Sequence, residues 1–345
     1  MLRIFSGHTK HRGIYIAEIG LNHNGSAKTA AEMIEAAASA GADAVKFQTI
    51  VPELLNSVYT ASLLNNESDP RPDLGPIEFF RRFMLSFDEY HSLKALAEKS
   101  GMLFFSSPFD ASSLETLQAL DVPLYKIASS EITNIPFIKK IAKTGKSAIM
   151  STGISLADEI ALAVNSFVSA GGGELALMHC VSNYPPAPEN INLSRIASLR
   201  REFGLETGFS DHSRGWKATV LSAAFGAEIF EKHFTIDKNY DCPDKDVSLA
   251  PDEFRSMIGD VEEAILMLGS GHIDYGESEA SVAKVARRSL FACRDILPGS
   301  VVTEDDIVAL RPGVGIPPYS ISEITGRRAK LNISKDSILY MDYFE

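Results

Sequence analysis

Eight short apolar runs, separated by stretches of helical periodicity, constrain the fold of this chain more than any other feature. Apolar runs of this length, bounded by polar or turn residues, are typical of buried strands. When such runs alternate with helices they predict a parallel sheet, because parallel strands are normally connected through a helix. The predicted strands cover residues 14–18, 44–48, 103–106, 124–127, 148–151, 175–179, 206–209 and 229–233.

The predicted fold class is α/β, with the eight units closing into a (β/α)₈ TIM barrel, a fold that typically takes ~250 residues. A doubly wound sheet is the alternative. Its Gly-x-Gly-x-x-Gly fingerprint is missing, because glycine follows the first predicted strand only at Gly20 and Gly25. Ser26 is predicted to cap a helix over 27–40, and Gly41 is predicted to end it.

The sequence predicts a second, smaller domain at the carboxyl end of the chain. After Gly271 the helical pattern gives way to short β-like runs separated by proline and glycine turns. We expect a barrel domain over residues 1–272, a linker over 273–285 and a small, mostly β domain over 286–345. Within the barrel, the segment 51–82 is rich in Asn, Ser, Pro and Arg and predicts an extended loop at the catalytic face.

The overall charge argues against nucleic acid or an anionic membrane as the main partner. The 345 residues include 33 Lys and Arg against 45 Asp and Glu, for a net charge of −12. An anionic small molecule stays possible, since a pocket can be locally basic. Three scattered cysteines and an amino terminus without an apolar signal segment predict a cytoplasmic location. No apolar run approaches the ~18 residues of a membrane helix.

Polar residues close nearly all of the predicted strands. In a parallel barrel the carboxyl ends of all strands meet at one face, where active sites of this fold lie. A single strand-end lysine is usually a paired or solvated residue. Lysines at Lys46, Lys126 and Lys232, together with the other polar strand ends, instead predict one shared site.

Two histidines end neighbouring predicted strands. His212 and His233 lie 21 residues apart, so their side chains could converge. Two imidazoles plus a carboxylate, with open coordination positions, make a catalytic divalent metal site. The alternative is a pair of histidines that only hydrogen-bond within a polar rim.

A mixed set of lysines and serines predicts a binding site for a phosphate and a carboxylate. Backbone N–H groups of the turn at 151–153 could also face the anion. The alternative is that the serines only cap the following helices. The set consists of Lys46, Lys126, Ser129, Ser151 and Ser210.

The order of these motifs resembles that of the N-acetylneuraminate (sialic acid) synthase family, and more closely its sialate and legionaminate branches. The carboxyl-terminal residues are similar to the family's antifreeze-like (SAF) domain, with Arg288-Ser289-Leu290 and Arg311-Pro312-Gly313 among its marks. The resemblance covers almost the whole chain. The matching segments are 16–25, 41–49, 105–110, 126–131, 151–153, 179–180, 210–212 and 231–235.

This resemblance implies a TIM barrel joined to a SAF domain, in a homodimer whose SAF domains are swapped over the partner's barrel. It implies that phosphoenolpyruvate is condensed with an N-acylated mannosamine-type sugar and water. The products would be a sialic or legionaminic acid and phosphate. The expected cofactor is a divalent metal, with Mn²⁺ first and Mg²⁺ or Co²⁺ as alternatives, and neither nucleic acid nor a membrane is expected as a partner.

The resemblance also implies roles for individual residues. The expected catalytic residues are Glu18, Glu131, His212 and His233, and the two histidines are the expected metal ligands. Glu18 would orient or deprotonate the attacking water, and Arg311 would hold the N-acyl group from the partner subunit. The expected substrate-binding residues are Lys46, Gln48, Ser107, Lys126, Ser129, Ser151, Ser182, Tyr184, Ser210, Asp244 and Arg311.

Two residues leave the identity of the sugar open. Ser182 lies where the sialate branch often has asparagine, and Cys242 precedes Pro243-Asp244 where glycine is usual. A pseudaminic acid synthase, or another phosphoenolpyruvate-dependent sugar synthase, is the first alternative. A carbohydrate-binding protein with an inactive barrel is the second. An inactive barrel should have lost at least one catalytic-set residue, and all of them are present: Glu18, Lys46, Lys126, His212 and His233.

Overall fold

The first part of the chain folds into a closed barrel of eight parallel strands, which confirms the predicted fold class. The structure, a computed structural model, describes residues 9, 11–57 and 75–345. It contains two compact units, one ending at Gly269 and the other spanning Ser270–Glu345. In sequence order the barrel strands are β1 Ile14–Gly20, β2 Ala44–Thr49, β3 Leu103–Pro108, β4 Leu124–Ile127, β5 Ser147–Ser151, β6 Leu175–Cys180, β7 Glu206–Asp211 and β8 Ile229–His233.

All eight strands lie where the sequence predicts them, and several are longer at the carboxyl end. β3 continues to Pro108 and β7 to Asp211, so the polar residues after the apolar runs still belong to the sheet. The barrel closes where β1 pairs with β8, which aligns Glu18 with His233. Polar side chains of the first and last strands of the barrel therefore become neighbours.

Helices connect the strands and cover the outside of the barrel. The predicted caps of the first helix are confirmed, because the Ser26 side chain accepts from Thr29 N and Gly41 adopts the left-handed conformation at φ 99°. Among the residues described, no helix is both long and apolar enough to span a membrane. The described residues of this unit form the helices α1 Ala27–Ala40, α2 Pro52–Leu55, α3 Pro76–Arg81, α4 Phe87–Lys99, α5 Ala111–Ala119, α6 Ile135–Ala142, α7 Ala157–Ser169, α8 Ser194–Phe203, α9 Lys217–Ala224 and α10 Pro251–Leu268.

The segment 51–82, predicted as an extended loop, contains two short helices in its described parts. Both α2 and α3 begin with proline, whose fixed φ suits the first helical position. The prediction of an extended loop is therefore wrong for these residues. The remainder of that prediction, 58–74, lies outside the described residues.

The barrel interior changes from apolar to charged along the strands. Side chains alternate between the two faces of a strand, so Ile14, Ile16 and Glu18 point to the same side. Ten buried apolar side chains fill the interior near the amino ends of the strands, and they form one cluster. The charged residues follow them toward the carboxyl ends, so the apolar layers form a floor beneath the site. The ten are Ile14, Ile16, Ala44, Leu103, Phe105, Leu124, Ile149, Ala176, Met178 and Ile229.

At the amino end of the barrel, one carboxylate on α10 accepts several hydrogen bonds. Glu262 accepts hydrogen bonds from the backbone N–H groups of Arg12 and Gly13 and from the Tyr15 hydroxyl, at 2.9–3.1 Å. These contacts join the chain before β1 to the last helix of the unit. The hydrogen bonds at this end of the barrel therefore stabilise the fold.

The second unit is built around a small apolar core and a two-stranded antiparallel sheet of β9 Ser289–Ala292 and β10 Ile307–Leu310. Most of the predicted linker lies in a helix, α11 Glu277–Ala286, so it is not an extended connection throughout. Acidic residues in its first turn and Lys284 in its last turn match the helix dipole.

Candidate active site

The carboxyl end of the barrel holds a polar cavity of about 270 Å³, which we call the inner cavity. Each barrel strand, or the turn that follows it, contributes to its wall. Side chains alternate along each strand, so Glu231 and His233 of β8 both point inward. Glu18 of β1 points inward for the same reason. The side chains that line it include Glu18, Lys46, Gln48, Ser107, Lys126, Ser129, Ser151, Ser182, Tyr184, Ser210, His212, Glu231 and His233.

Four charged groups form a continuous buried chain at the bottom of the inner cavity. Lys46 Nζ lies 2.9 Å from Glu18 Oε2 and 3.5 Å from Glu231 Oε1. Lys126 Nζ donates to both oxygens of Glu231, at 2.9 and 2.8 Å. Each of the four residues is at least 95% buried. Two ammonium groups thus face the cavity from positions that opposite charges hold in place.

The environment shifts the pKa values of these groups in different directions. Burial raises the pKa of Glu18, and the opposing charge of Lys46 only partly offsets it. Burial by itself would raise the pKa of Glu231 too, but Lys126 and Lys46 lower it to about 2. Burial lowers the pKa of Lys126, against the attraction of Glu231. Of the two carboxyl groups, Glu231 is therefore the stronger acid and Glu18 the stronger base.

A serine-rich wall lies where β4, β5 and β6 end. The backbone N–H of Gly153 donates to Ser129 Oγ at 2.9 Å, and Ser129 Oγ lies 3.1 Å from Cys180 Sγ. A Cβ atom at Gly153 would come within 2.6 Å of Ser182 Oγ, so this close packing requires glycine. The wall presents hydroxyl groups to the cavity.

One sequence prediction for this wall is wrong. We expected the N–H groups of the 151–153 turn to face an anion, but two of them are already bonded within the protein. The N–H of Thr152 donates to the carbonyl of Met178, and that of Gly153 donates to Ser129. The turn therefore uses its N–H groups to hold the wall, and the serine hydroxyls are the donors left for a ligand.

His212 and His233 converge, with their ring centroids 5.4 Å apart. The Val181 carbonyl can only accept, so His212 Nδ1, 2.7 Å away, carries the proton and Nε2 keeps its lone pair. The Tyr184 hydroxyl lies 3.1 Å from that Nε2, and its ring stacks on His212 at 4.1 Å. Burial lowers the pKa of His212 to about 4 and that of His233 well below its usual range. Both imidazoles are therefore neutral at neutral pH.

These two imidazoles fit the donor set of a divalent metal site. Neutral imidazole nitrogens are metal ligands, and the hydrogen bond from His212 to a backbone carbonyl is the usual second contact of a ligating histidine. His233 Nδ1 is buried and, within the described part of the chain, makes no hydrogen bond. The described residues contain no group of three or more His, Cys, Asp or Glu side chains able to hold a metal. The protein's share of the ligands would therefore be these two, with other positions open to substrate or water.

A larger and more open cavity of about 740 Å³, the outer cavity, shares part of its wall with the inner one. The residues common to both are Gln48, Tyr184 and His233. Asp244 lines the outer cavity, and its Oδ2 lies 3.3 Å from His233 Nδ1. Burial raises the pKa of Asp244 to about 7. Two ligands could thus bind side by side and meet at the shared wall.

The structure brings together thirteen of the fifteen predicted site residues, since Asp244 adjoins the twelve that line the inner cavity. Glu131 does not line either described cavity. It lies in a 3₁₀ turn after β4, where Asn134 Nδ2 donates to its Oε2 at 2.8 Å. Arg311 is an exposed residue of the second unit, before the cis peptide bond to Pro312.

Lys232, which we grouped with the site lysines, does not line the inner cavity. It follows Glu231 and precedes His233, both of which face inward, so alternation turns Lys232 to the outer face of β8. Its ammonium group lies 3.4 Å from Asp211 Oδ2.

The prediction missed Glu231 as a site residue. Its role as the counter-ion of both cavity lysines is visible only once β2, β4 and β8 are placed around one axis. One signal was available in the sequence, since Glu231 and His233 are two residues apart in a strand and must share a face.

Comparison with known proteins identifies two matching families. Residues 33–273 match the NeuB family and residues 287–345 match the SAF domain. The first region covers the barrel from within α1 onward, and the second covers most of the second unit.

Several individual proteins are similar over nearly the whole chain. The N,N'-diacetyllegionaminic acid synthase of Legionella pneumophila is 35% identical, covering 96% of this chain and 94% of that protein. The pseudaminic acid synthase of Campylobacter jejuni serotype O:23/36 is 36% identical, covering 96% of both. The crystal structure of a sialic acid synthetase from Leptospira borgpetersenii, in complex with citrate, superposes with a TM-score of 0.70. It is 33% identical and covers 78% of this chain and 90% of that one.

Proposed function

The chain belongs to the NeuB family, and from that premise we propose that it condenses phosphoenolpyruvate with an N-acylated amino sugar and water. The products are a nonulosonic acid and inorganic phosphate. Membership places the chain among the phosphoenolpyruvate-dependent synthases that form a carbon–carbon bond. One observation supports the proposal above all. Two buried lysines and a serine wall share the inner cavity with two neutral histidines, at the point where a second cavity begins.

The inner cavity suits phosphoenolpyruvate, which carries a carboxylate and a phosphate on three carbons. Lys46 and Lys126 supply positive charge from fixed positions, and buried charges act more strongly than exposed ones because water screens them less. Ser129 and Ser151 add neutral donors for the remaining oxygens. Orientation of the reacting carbon is itself worth several powers of ten in rate.

The reaction balances with the groups at hand. C3 of phosphoenolpyruvate forms a bond to the aldehyde carbon of the open-chain sugar, and the aldehyde oxygen gains a proton. Water adds to C2, and the C2–O bond to phosphate breaks. The raised pKa of Glu18 suits this carboxyl to accept the proton of the attacking water. The Tyr184 hydroxyl and Gln48 lie on the wall between the two cavities, where they can orient the sugar.

We propose that His212 and His233 hold a divalent metal ion, with Mn²⁺ as the first choice. The ion would supply Lewis-acid polarisation of the aldehyde oxygen. The two histidines stay neutral because they are buried, and Lys46 adds to the lowering of the His233 pKa. Removal of metal with a chelator should therefore abolish turnover, and added Mn²⁺ should restore it.

The outer cavity favours a 6-deoxy sugar with acylamino groups. Its described wall includes the apolar side chains of Leu21, Phe79, Phe80 and Phe83, which suit a methyl group better than a hydroxyl group. The carboxyl groups of Asp241 and Asp244 line the same cavity and can accept hydrogen bonds from hydroxyl or amide groups. We therefore propose a 2,4-diacetamido-2,4,6-trideoxyhexose over N-acetylmannosamine.

The curated relatives include legionaminate-type and pseudaminate-type synthases at similar identity. We propose the legionaminate type first because Pro243-Asp244 is retained beside His233. In the family's dimer, Arg311 of the partner subunit would reach the N-acyl group of the sugar.

A panel of acceptors tests the proposal. Purified protein with Mn²⁺ and phosphoenolpyruvate is assayed for phosphate release with four mixtures. These contain N-acetylmannosamine, 2,4-diacetamido-2,4,6-trideoxymannose, the corresponding pseudaminate precursor, or no sugar. We expect the fastest release with the trideoxymannose and a product mass equal to phosphoenolpyruvate plus sugar plus water minus phosphate. No release with any sugar would favour a non-catalytic carbohydrate-binding barrel.

A further inference from the structure

Asp211 and Lys232 form a buried ion pair directly behind the two histidines. β7 and β8 pair so that Ser210 lies opposite Glu231 and Asp211 lies opposite Lys232. Ser210 Oγ donates to Glu231 Oε1 at 3.0 Å on the inner face. On the outer face, Lys232 Nζ lies 3.4 Å from Asp211 Oδ2, and both side chains are fully buried.

The pair is tied to the backbone on both sides of His212. Asp211 Oδ1 accepts from the N–H of Ser213 at 2.7 Å. The carbonyl of the same Ser213 accepts a hydrogen bond from Lys232 Nζ. Asp211 Oδ2 also accepts from Thr219 Oγ1 on α9 at 2.7 Å. The backbone that carries His212 is thus bridged to Lys232, the residue immediately before His233.

Neither residue of the pair lines the inner or the outer cavity, so neither can touch the substrates from this position. Stability alone does not account for the pair, since apolar residues of similar volume often stabilise a core as well as a buried ion pair does. The pair instead fixes the relative position of neighbouring elements. It connects the ends of β7 and β8 with α9, next to the residues that carry the two imidazoles.

We propose that Asp211 and Lys232 are positioning residues that set the separation and orientation of His212 and His233. The inference rests on the two-histidine metal site of the proposed function. It predicts that loss of the pair weakens binding of a divalent metal even in the absence of substrates, because two ligands that are no longer held together bind as separate groups. The centroid separation to be preserved is 5.4 Å.

The test is a titration of the protein with Mn²⁺ alone, in which free ion is measured by electron paramagnetic resonance. The main variant is the double substitution Asp211→Asn/Lys232→Met, which removes both charges together and so leaves no unpaired ion in the core. The milder variant is Thr219→Val, which keeps the charges and removes one hydrogen bond to Asp211. We expect the dissociation constant to rise on the order of 10-fold or more in the double variant and a few-fold in Thr219→Val.

The matched control is Tyr15→Phe, which removes a buried hydrogen bond to Glu262 at the opposite end of the barrel. It should lower the melting temperature and leave Mn²⁺ affinity unchanged. A folded double variant with wild-type affinity would overturn the inference, as would a wild-type protein that binds no Mn²⁺. An equal loss of affinity in Tyr15→Phe would also overturn it, since the effect would then follow stability. If the double variant does not fold, Thr219→Val decides.

The outcome is independent of the synthase reaction, because the titration contains neither phosphoenolpyruvate nor sugar. The predicted loss of Mn²⁺ affinity without any phosphate release by the wild type would uphold the positioning pair and reject the proposed function. If the wild type is active, the double variant should lose kcat while its KM for phosphoenolpyruvate changes little.

Discussion

The two halves of the barrel interior have opposite chemistry although the same eight strands run through both. Near the amino ends the interior is filled by apolar side chains such as Phe105 and Ile149. Near the carboxyl ends it holds the charged side chains of Lys46, Lys126 and Glu231. Both groups are almost fully buried, at 0% exposure for the first two and 3–4% for the last three.

The energetics of the two halves differ as sharply as their chemistry. Burial of an apolar side chain stabilises a fold by about 1.5–3 kcal/mol. Burial of a charge costs several kcal/mol, which an ion pair repays only when its geometry is good. The apolar half therefore supplies stability, and under the proposed function the ionic half is retained to bind the substrates. Substitutions in each half should separate the two effects.

The largest effect is expected from replacing one ion pair of the ionic half by apolar residues. The double substitution Lys126→Met/Glu231→Leu removes both charges, while Lys46 keeps Glu18 at 2.9 Å as its partner. We expect kcat/KM to fall on the order of 10³-fold, because the fixed positive charge with which Lys126 would contact the substrate is lost. The free energy of unfolding in urea should stay unchanged or rise by about 1–4 kcal/mol.

The control is Lys126→Met alone, which leaves Glu231 with Lys46 at 3.5 Å as its remaining cation. This single variant should be less stable than the wild type by about 3–5 kcal/mol. If the double variant proved less stable than the single one, the ionic half would be contributing to stability and the comparison would fail.

The next prediction separates contacts to the sugar from contacts to phosphoenolpyruvate. Under the proposed function, Arg311→Ala should raise the KM for the sugar about 10-fold or more, since a hydrogen bond to a charged group is worth about 1.5–3 kcal/mol. The KM for phosphoenolpyruvate should stay within about twofold. Arg288→Ala, in the same unit, is the matched control, because Arg288 donates to the carbonyl of Ala309. Equal increases in both KM values would contradict the assignment.

A smaller effect should appear in the pH dependence of stability. Burial lowers the pKa of His179 from 6.5 to about 4, although its bond to the Ile191 carbonyl opposes the shift. The unfolded chain thus binds a proton between these values that the native protein does not. The stabilisation is fully present above pH 6.5 and declines as the pH falls toward 4.

His179→Gln should remove this contribution. Between pH 7 and pH 5 the wild type should lose about 2 kcal/mol more unfolding free energy than the variant, as measured by urea denaturation. Because His179 does not line the inner cavity, kcat at pH 7 should change little. Parallel pH profiles for the two proteins would refute a buried neutral His179.

The smallest effect is expected in the apolar half. Ile149→Val removes one methylene group from the cluster beneath the cavity. It should cost about 0.5–1.5 kcal/mol of unfolding free energy and lower the melting temperature by a few degrees, measured by calorimetry. Steady-state kinetics should be unchanged. A loss of kcat without a matching loss of stability would show that the apolar half also shapes the site.

The fold and most of the site could be predicted because both depend on where the strands begin and end. Apolar runs locate the strands, and the rule that parallel strands end at one face gathers their polar ends. Glu18, Lys46 and His233 were correctly placed together on that basis.

The predictions that failed concerned the direction in which a side chain points. The position of a residue near a strand end does not define that direction. Lys46 and Lys232 both lie near strand ends, yet only Lys46 occupies a position whose side chain points into the barrel. Glu131 follows β4 in a 3₁₀ turn, where no strand alternation applies and Asn134 holds its carboxylate. The role of Glu231 as a counter-ion could be assigned only when lysines from two distant strands were seen to meet on it.

The central claim is that the carboxyl end of the barrel joins phosphoenolpyruvate to a sugar with loss of phosphate from C2. The most direct test is to run the reaction with Mn²⁺ in ¹⁸O-labelled water and analyse the phosphate by mass spectrometry. The account predicts phosphate release that depends on the sugar, with no label in the phosphate, because water attacks carbon. Labelled phosphate, or release at the same rate without sugar, would contradict it.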